Sequence, residues 1–380
     1  MKHYDYIFTG AGLAALMTVY RMTASGKFSG KSILLIDPDR KKSNDRTWSF
    51  WETDGGEFDD IVSRQWNSAL FADVGSKQTL DLSPYRYKTI RGSDFYDFVL
   101  KQIRTESNID FVHDKVTDFD DVSTNCVVKT ENAEFTCGKI INSIYNPELA
   151  AAQEKYPVLQ QHFIGWFVKT KEPVFNPYQL TFMDFSVEQK GNTRFMYVLP
   201  FSENEALVEY TLFSKDLLRE SEYESEIESY LKTLGASDFI ITEKERGSIP
   251  MTAYKFWKNN TKNIIHIGSA GGWTKASTGF TFKNTVKKSA SLAEFMQTNS
   301  DLRQFHHTNR FWFYDLLLLD ILSEKNDRGH EIFSAMFADG KSALILKFLD
   351  EETSIAEDLR VILKCPKRLF LSALAKRIFR

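Results

Sequence analysis

Cysteine is scarce in this chain. Only Cys126, Cys137 and Cys365 occur in 380 residues, with no C-x-x-C spacing. That excludes a disulfide framework and a cysteine-ligated zinc site, and it fits a reducing compartment. The seven histidines show no metal-ligand spacing, so no metal is expected, and His306-His307 reads as a surface pair. Long apolar runs are also missing. The greasiest stretch, residues 311–322, is interrupted by Asp315 and Asp320, and a spanning helix needs roughly 18 or more apolar residues. Residues 1–6 lead straight into a strand pattern without the features of a signal peptide. An excess of one charge is absent: 48 basic and 51 acidic residues give −3, and nothing overall asks for nucleic acid. Apolar residues at 42% and charged residues at 26% exclude disorder, collagen and coiled coil.

Phenylalanine, by contrast, is plentiful, with 31 residues against 15 Tyr and 7 Trp. Many rings with few hydroxyls suit an aromatic core or an apolar ligand. Charge is unevenly spread. Residues 359–380 contain seven bases, Arg360, Lys364, Lys367, Arg368, Lys376, Arg377 and Arg380, and no acid. Removing those seven from −3 leaves −10 on the preceding residues. A basic tail on an acidic body points to anionic lipid or an acidic partner.

The opening residues read strand (4–9), turn, helix (13–24) and strand (32–36), a single βαβ unit. Its turn is Gly10-x-Gly12-x-x-Ala15, a dinucleotide fingerprint with Ala in third place. Gly10 allows the tight turn, and Gly12 lets the backbone approach a pyrophosphate at the helix N-terminus. Asp37, 25 residues after Gly12, ends the second strand, where a carboxylate accepts hydrogen bonds from a ribose.

Residues 163–170, 180–187, 194–199 and 206–213 then read as four successive strands with no helical spacing between them, hence an antiparallel sheet. Residues 215–234 read as a charged surface helix. The α/β pattern returns with a buried strand at 263–268, the Gly268-Ser269-Ala270-Gly271-Gly272 turn and a helix from about residue 281 to 296. A late strand and glycine-rich turn of this kind favours FAD over NAD.

The expected fold is therefore α/β. A Rossmann-type FAD-binding domain of the glutathione-reductase type (1–150 and 260–298) carries an inserted antiparallel-sheet substrate domain (151–259). A helical C-terminal region (299–380) follows.

Several segments, in order, resemble bacterial lycopene β-cyclases. They are Arg46-Thr47-Trp48-Ser49-Phe50-Trp51, Phe182-Met183-Asp184-Phe185, Leu207-Val208-Glu209-Tyr210-Thr211, Gly247-Ser248-Ile249-Pro250-Met251 and Ser277-Thr278-Gly279-Phe280. Two departures stand out. Tyr210 occupies the second place of the family's acidic motif, and Lys275-Ala276 stand where His-Pro is common.

The resemblance implies cyclisation of lycopene's linear ends to β-rings, through γ-carotene to β-carotene, with reduced FAD, NADPH or NADH as reductant, and no net redox change. It also implies a membrane-dissolved substrate, and with the basic, greasy tail from Lys364, where Phe370, Leu371, Leu374 and Ile378 fall roughly on one side, a protein peripheral to the inner face of the cytoplasmic membrane is expected. Such chemistry needs a strong proton donor in a dry pocket, and a carboxylic acid kept neutral by apolar surroundings is one. Glu209, in an otherwise almost uncharged strand, is the expected catalytic acid or base. Asp184, in another greasy strand, is the expected second carboxyl, orienting Glu209 or binding near the flavin. Glu203 and Glu205 lie in a turn and are expected to be solvated.

Cofactor contacts are expected from Gly10, Gly12, Ala15, Asp37, Gly268, Gly271, Gly272, Thr278 and Gly279. Cation stabilisation is expected from Trp48, Phe50, Trp51, Tyr210 and Phe280, whose ring faces attract positive charge. A redox flavoenzyme, a monooxygenase or prenyl reductase acting on a lipophilic isoprenoid, shares the fingerprint but needs no buried acid. The sequence indicates no oligomeric state.

Overall fold

The computed structural model describes residues 2–122 and 125–378. Its first sheet has seven strands: five are parallel, in the order Ile109–Val112, Ile33–Ile36, Lys2–Thr9, Glu134–Asn142 and Ile264–His266, and Asn125–Thr130 and Val116–Val122 add to it antiparallel. Ile33–Ile36 is buried throughout, as the unbroken apolar run of a strand covered on both faces requires. Glu134–Asn142 has two uses along one edge. Its first half pairs antiparallel with Asn125–Thr130, and its last residues pair parallel with Ile264–His266. The chain thus returns to this sheet after the insertion. Helices Leu13–Ala24, Gly92–Ile103 and Phe282–Thr298 bury their apolar stripes in a common core with it.

The second sheet has seven strands, ordered Phe239–Met251, Leu159–Thr170, Glu205–Ser214, Thr193–Pro200, Gln179–Asp184, Ser68–Asp73 and Ser76–Asp81. Three of these depart from the sequence reading. The hairpin of Ser68–Asp73 and Ser76–Asp81 lies inside the stretch assigned to the nucleotide domain, yet it completes the substrate sheet by parallel pairing with Gln179–Asp184. Ala69, Phe71 and Leu80 enter the substrate-side core there, covering what would otherwise be a bare edge. Phe239–Met251 shows no strand signal in sequence because it carries Glu243, Lys244, Glu245, Arg246 and Pro250, the polar and proline content of an edge strand.

Alternation sorts the residues of this sheet onto two faces. Val208, Tyr210 and Leu212 pack with Ile164, Trp166 and helix Glu220–Thr233. Leu207 and Phe213 face the other way, toward the C-terminal helices. Those helices are Arg310–Glu324, Gly329–Phe337, Ser342–Leu349, Ile355–Ile362 and Lys367–Ile378, matching the helical reading of the tail. A small third sheet, Thr47–Glu52, Arg86–Arg91 and Arg64–Trp66, bridges the cores. Trp48 and Phe50 belong to the first, Trp51, Trp66 and Tyr87 to the second.

Candidate active site

Glu209 sits mid-strand on the face that looks toward the C-terminal helices. A cavity of about 150 Å³ opens there, walled by the sheet, by helix Gly329–Phe337, by residues 47–49 and by the turn at residues 278–282. Its lining is mostly aromatic, with Trp48, Tyr87, Phe163, Phe182, Tyr197, Phe280 and Phe337 among the walls. The Tyr87 and Tyr197 hydroxyls bond to each other at 2.8 Å.

Among the described residues Glu209 supplies the carboxyl in this lining. It is 7% exposed and accepts a hydrogen bond from the Thr211 hydroxyl. Burial, reinforced by the neighbouring carboxyl of Glu245, pushes its pKa up to about 8, against the Thr211 hydrogen bond, which lowers it. The local sequence explains the burial: strand alternation aims Glu209 inward between Leu207 and Thr211, both buried.

Asp184 does not join it. One of its carboxylate oxygens accepts from the Ser186 N–H at 2.9 Å and the Ser186 hydroxyl at 2.5 Å, the other from the Tyr230 hydroxyl at 2.9 Å. Tyr230 belongs to helix Glu220–Thr233, so Asp184 is a fully bonded carboxylate on the far side of the sheet. A register shift between Thr181 and Asp184 breaks the regular alternation of this strand.

Tyr210 is also corrected. It lies opposite Glu209, with its hydroxyl accepting from Arg194 Nη1 at 3.0 Å, and cannot reach the cavity. Trp48 and Phe280 do line it. Phe50 stacks on Phe282 with ring centroids 4.6 Å apart, and Trp51 donates its indole N–H to the Leu346 carbonyl at 3.1 Å. Both stand behind the wall.

The glycine-rich elements form a cradle. Gly10 holds φ +86°, and a side chain there would run into Ser143. Gly12 begins helix Leu13–Ala24, which has no side-chain cap and no acid in its first turn. Nothing lies within 4 Å of the place a Gly12 side chain would take. The helix N-terminus is therefore left without a side-chain cap and without a side chain in front of it, as a pyrophosphate site requires. Ala15 is buried within the helix, packed rather than lining the cradle. Asp37 accepts from the Ala11 N–H at 2.6 Å, with Lys41 Nζ at 3.4 Å.

Gly268, Gly272 and Gly279 have φ of +59°, +66° and +72°, and a side chain at Gly271 would strike the His266 carbonyl. Thr278 and Gly279 line the cavity, where the Thr278 hydroxyl and Gln161 Oε1 are buried without a partner. Orphaned polar atoms at the junction of cradle and cavity fit a flat, polar-edged ring system. Lys275 is tied instead to Asp315 and Glu351, each at 3.0 Å, fixing this loop to the C-terminal helices.

Sequence reasoning missed two features. Glu245 is a second buried carboxyl on the same sheet, 8% exposed, and Gln161 borders the glycine turn. No local pattern marks either.

The lycopene cyclase protein family matches residues 5–375. The chain belongs to this family. It is 23% identical to the lycopene beta-cyclase of Paracoccus sp. (strain N81106 / MBIC 01143) over 299 residues, 74% of this chain and 70% of that protein. It is also 23% identical to the lycopene beta-cyclase of Pseudescherichia vulneris over 337 residues, 82% of this chain and 81% of that one.

Solved structures with the same fold are far more distant in sequence. A geranylgeranyl bacteriochlorophyll reductase-like protein of Thermoplasma acidophilum superposes with a TM-score of 0.63 at 12% identity, covering 99% of this chain and all of that one. A halogenase PltM variant in complex with FAD gives 0.59 at 13% identity, covering 92% and 82%. The fold of this lycopene cyclase family member is thus that of flavoproteins, as the fingerprint indicates.

The tail needs revision as well. Lys364 pairs with Asp339, Lys376 with Glu324 and Arg377 with Asp320, so three of its seven bases are spent on the body. Phe370 and Leu374 pack inward while Leu371 and Ile378 face out, so the apolar residues of the tail are split between two sides. Arg380 lies outside the described residues. No helix among those described is long and apolar enough to cross a membrane.

Proposed function

We propose that this protein closes the linear ends of lycopene into β-rings, with Glu209 as the proton donor. The observation that carries this reading is a buried carboxyl in an aromatic-lined cavity beside a flavin-type glycine cradle. An alkene end has no polar handle, so what the protein must deliver is a proton and a place for positive charge.

Glu209 gives its proton to the terminal double bond, forming a C–H bond and leaving a tertiary cation and a carboxylate. The next double bond attacks the cation and closes the ring. A ring C–H proton then leaves, and Glu209, now ionised, can accept it, so no hydrogen is gained or lost. Ring faces at Trp48 and Phe280 offer favourable electrostatics to the cation, and the apolar walls exclude water that would capture it.

Gly10, Gly12, Asp37 and residues 268–272 would hold FAD, with residues 278–279 and Gln161 near its ring. When bound in reduced, anionic form, FAD would supply a further negative charge beside the cavity. A nicotinamide dinucleotide, NADPH or NADH, is the proposed reductant.

The substrate dissolves in membrane, and we place the docking face on the C-terminal helices. Ile355, Leu359 and Leu363 recur at four-residue spacing and are 66%, 53% and 63% exposed. They thus share one helical face. Arg360, Lys367 and Arg368 are exposed nearby and form no ion pair among the described residues. Apolar side chains backed by bases suit the interface of an anionic bilayer.

The deciding experiment supplies lycopene, FAD and reductant under anaerobic conditions and follows product mass and absorption. Cyclisation leaves mass unchanged and consumes no reductant in proportion to product. A mass gain, or hydride consumed one-for-one, would make the protein a redox enzyme instead.

A further inference from the structure

The buried carboxyls Glu209 and Glu245 have a shared neighbour. Strand Leu159–Thr170 runs between theirs, and its Gly165 registers with Glu209 on one side and Glu245 on the other. Two strand spacings separate the backbones of the two acids by about 9.5 Å, and Gly165 places no side chain in the gap. A methyl group built on Gly165 would lie 3.6 Å from the Glu209 Cβ, 3.3 Å from the Glu245 Cγ and 2.8 Å from a Leu207 methyl. Glycine here lets the two acids approach across the middle strand.

Neither acid has an ion-pair partner among the described residues. The Thr211 hydroxyl donates to Glu209, and the Thr47 hydroxyl donates to Glu245 at 2.9 Å. The buried phenols of Tyr87 and Tyr197 stand near Glu209. Around Glu245 the charged groups are Arg91, Arg46 and Glu243, and Arg91 is itself bound to Glu243.

We propose that Glu245 is a positioning residue for Glu209, the two forming a carboxyl pair across Gly165 that holds one proton between them near neutral pH. Two adjacent negative charges in one buried site cannot both be sustained, so the charge of one keeps the proton on the other. The direction of both shifts agrees: burial is the main cause for each, and Glu245 is raised to about 7. In the proposed reaction the pair returns to its one-proton state when the ring proton leaves, so the balance closes without another reagent. The inference rests on Glu209 being the acid of the proposed cyclisation, but its test does not need turnover.

Infrared difference titration of the FAD-loaded, full-length protein reads the C=O band of protonated buried carboxyls. Glu209→Gln and Glu245→Gln assign the bands. Removing the like charge in E245Q should move the Glu209 midpoint down by about one pH unit, the scale of coupling expected for interacting sites. Glu245→Asp keeps the charge and should leave the midpoint near that of the wild type. Should E245Q not fold, Thr47→Val removes the hydrogen bond that favours ionised Glu245, and a smaller downward shift is expected. A Glu209 midpoint unmoved in E245Q, or in T47V where that variant stands in, overturns the proposal. The alkaline limb of the cyclisation rate should shift with the infrared midpoint. If the midpoint moves and the limb does not, the pair stands and the assignment of Glu209 as proton donor fails.

Discussion

Replacing Glu209 with Gln removes one proton and alters little else. The amide keeps the size of the side chain and can still accept from Thr211. The structure sets the magnitude of the effect. At pH 7 a carboxyl with the ordinary value of 4.5 is protonated in about one molecule in three hundred. At the value of about 8 that burial gives Glu209, about nine in ten are protonated. Burial therefore enriches the acid form a few-hundredfold, and Gln discards all of it. Losing a general acid costs about 10²–10⁴-fold, so kcat should fall by that much with flavin content unchanged. Wild-type rate should decline as pH rises through about 8.

Stability should follow pH in the same direction. The folded protein binds this proton more tightly than the unfolded chain, so the contribution of Glu209 is fully present below pH 4.5 and is lost as pH rises through about 8. Glu209→Gln should flatten that part of the stability profile. The assays are anaerobic turnover with chemically reduced FAD, read by absorption, and denaturant melts across pH. Cyclisation by E209Q within a few-fold of wild type would refute the reasoning.

Three other variants probe the remaining assignments. A Cβ at Gly12 meets no atom within 4 Å in the protein itself, so in Gly12→Val the fold should persist while flavin affinity falls at least tenfold; retention of flavin in equilibrium dialysis would clear this loop of a role. Asp184→Asn should lower stability by about 1–3 kcal/mol through a buried acceptor lost to Tyr230 or Ser186, while leaving the rate within a few-fold; a folded but inactive D184N would return Asp184 to the chemistry. Leu359→Glu combined with Leu363→Glu should weaken pelleting with anionic liposomes at low salt without changing activity on detergent-dispersed lycopene. Binding that ignores both substitutions would place the docking face elsewhere.

Local signals were legible in the sequence, and cross-strand ones were not. The Gly10–Ala15 turn can be read because its conformational demands fall on consecutive residues. The inward aim of Glu209 follows from alternation along a regular strand. Asp184 was misplaced because a bulge, invisible in sequence, turned its side chain toward Tyr230. Tyr210 was on the wrong face by the same alternation that placed Glu209, so that reading needed only consistency. Glu245 became visible only through its register with Gly165, which links residues 80 positions apart. The hairpin at residues 68–81 joins the distant sheet by a parallel pairing that no adjacent turn announces.

The roof over Glu209 has a consequence for how the protein comes into being. Phe333, Met336, Phe337 and Leu349 close the cavity from above, and they are made after every strand of the sheet they cover. Until they arrive, that face of the sheet is wet and its glutamate is an ordinary, ionised surface acid. The raised acidity of Glu209 is therefore a property of the closed fold, absent until these helices cover the sheet.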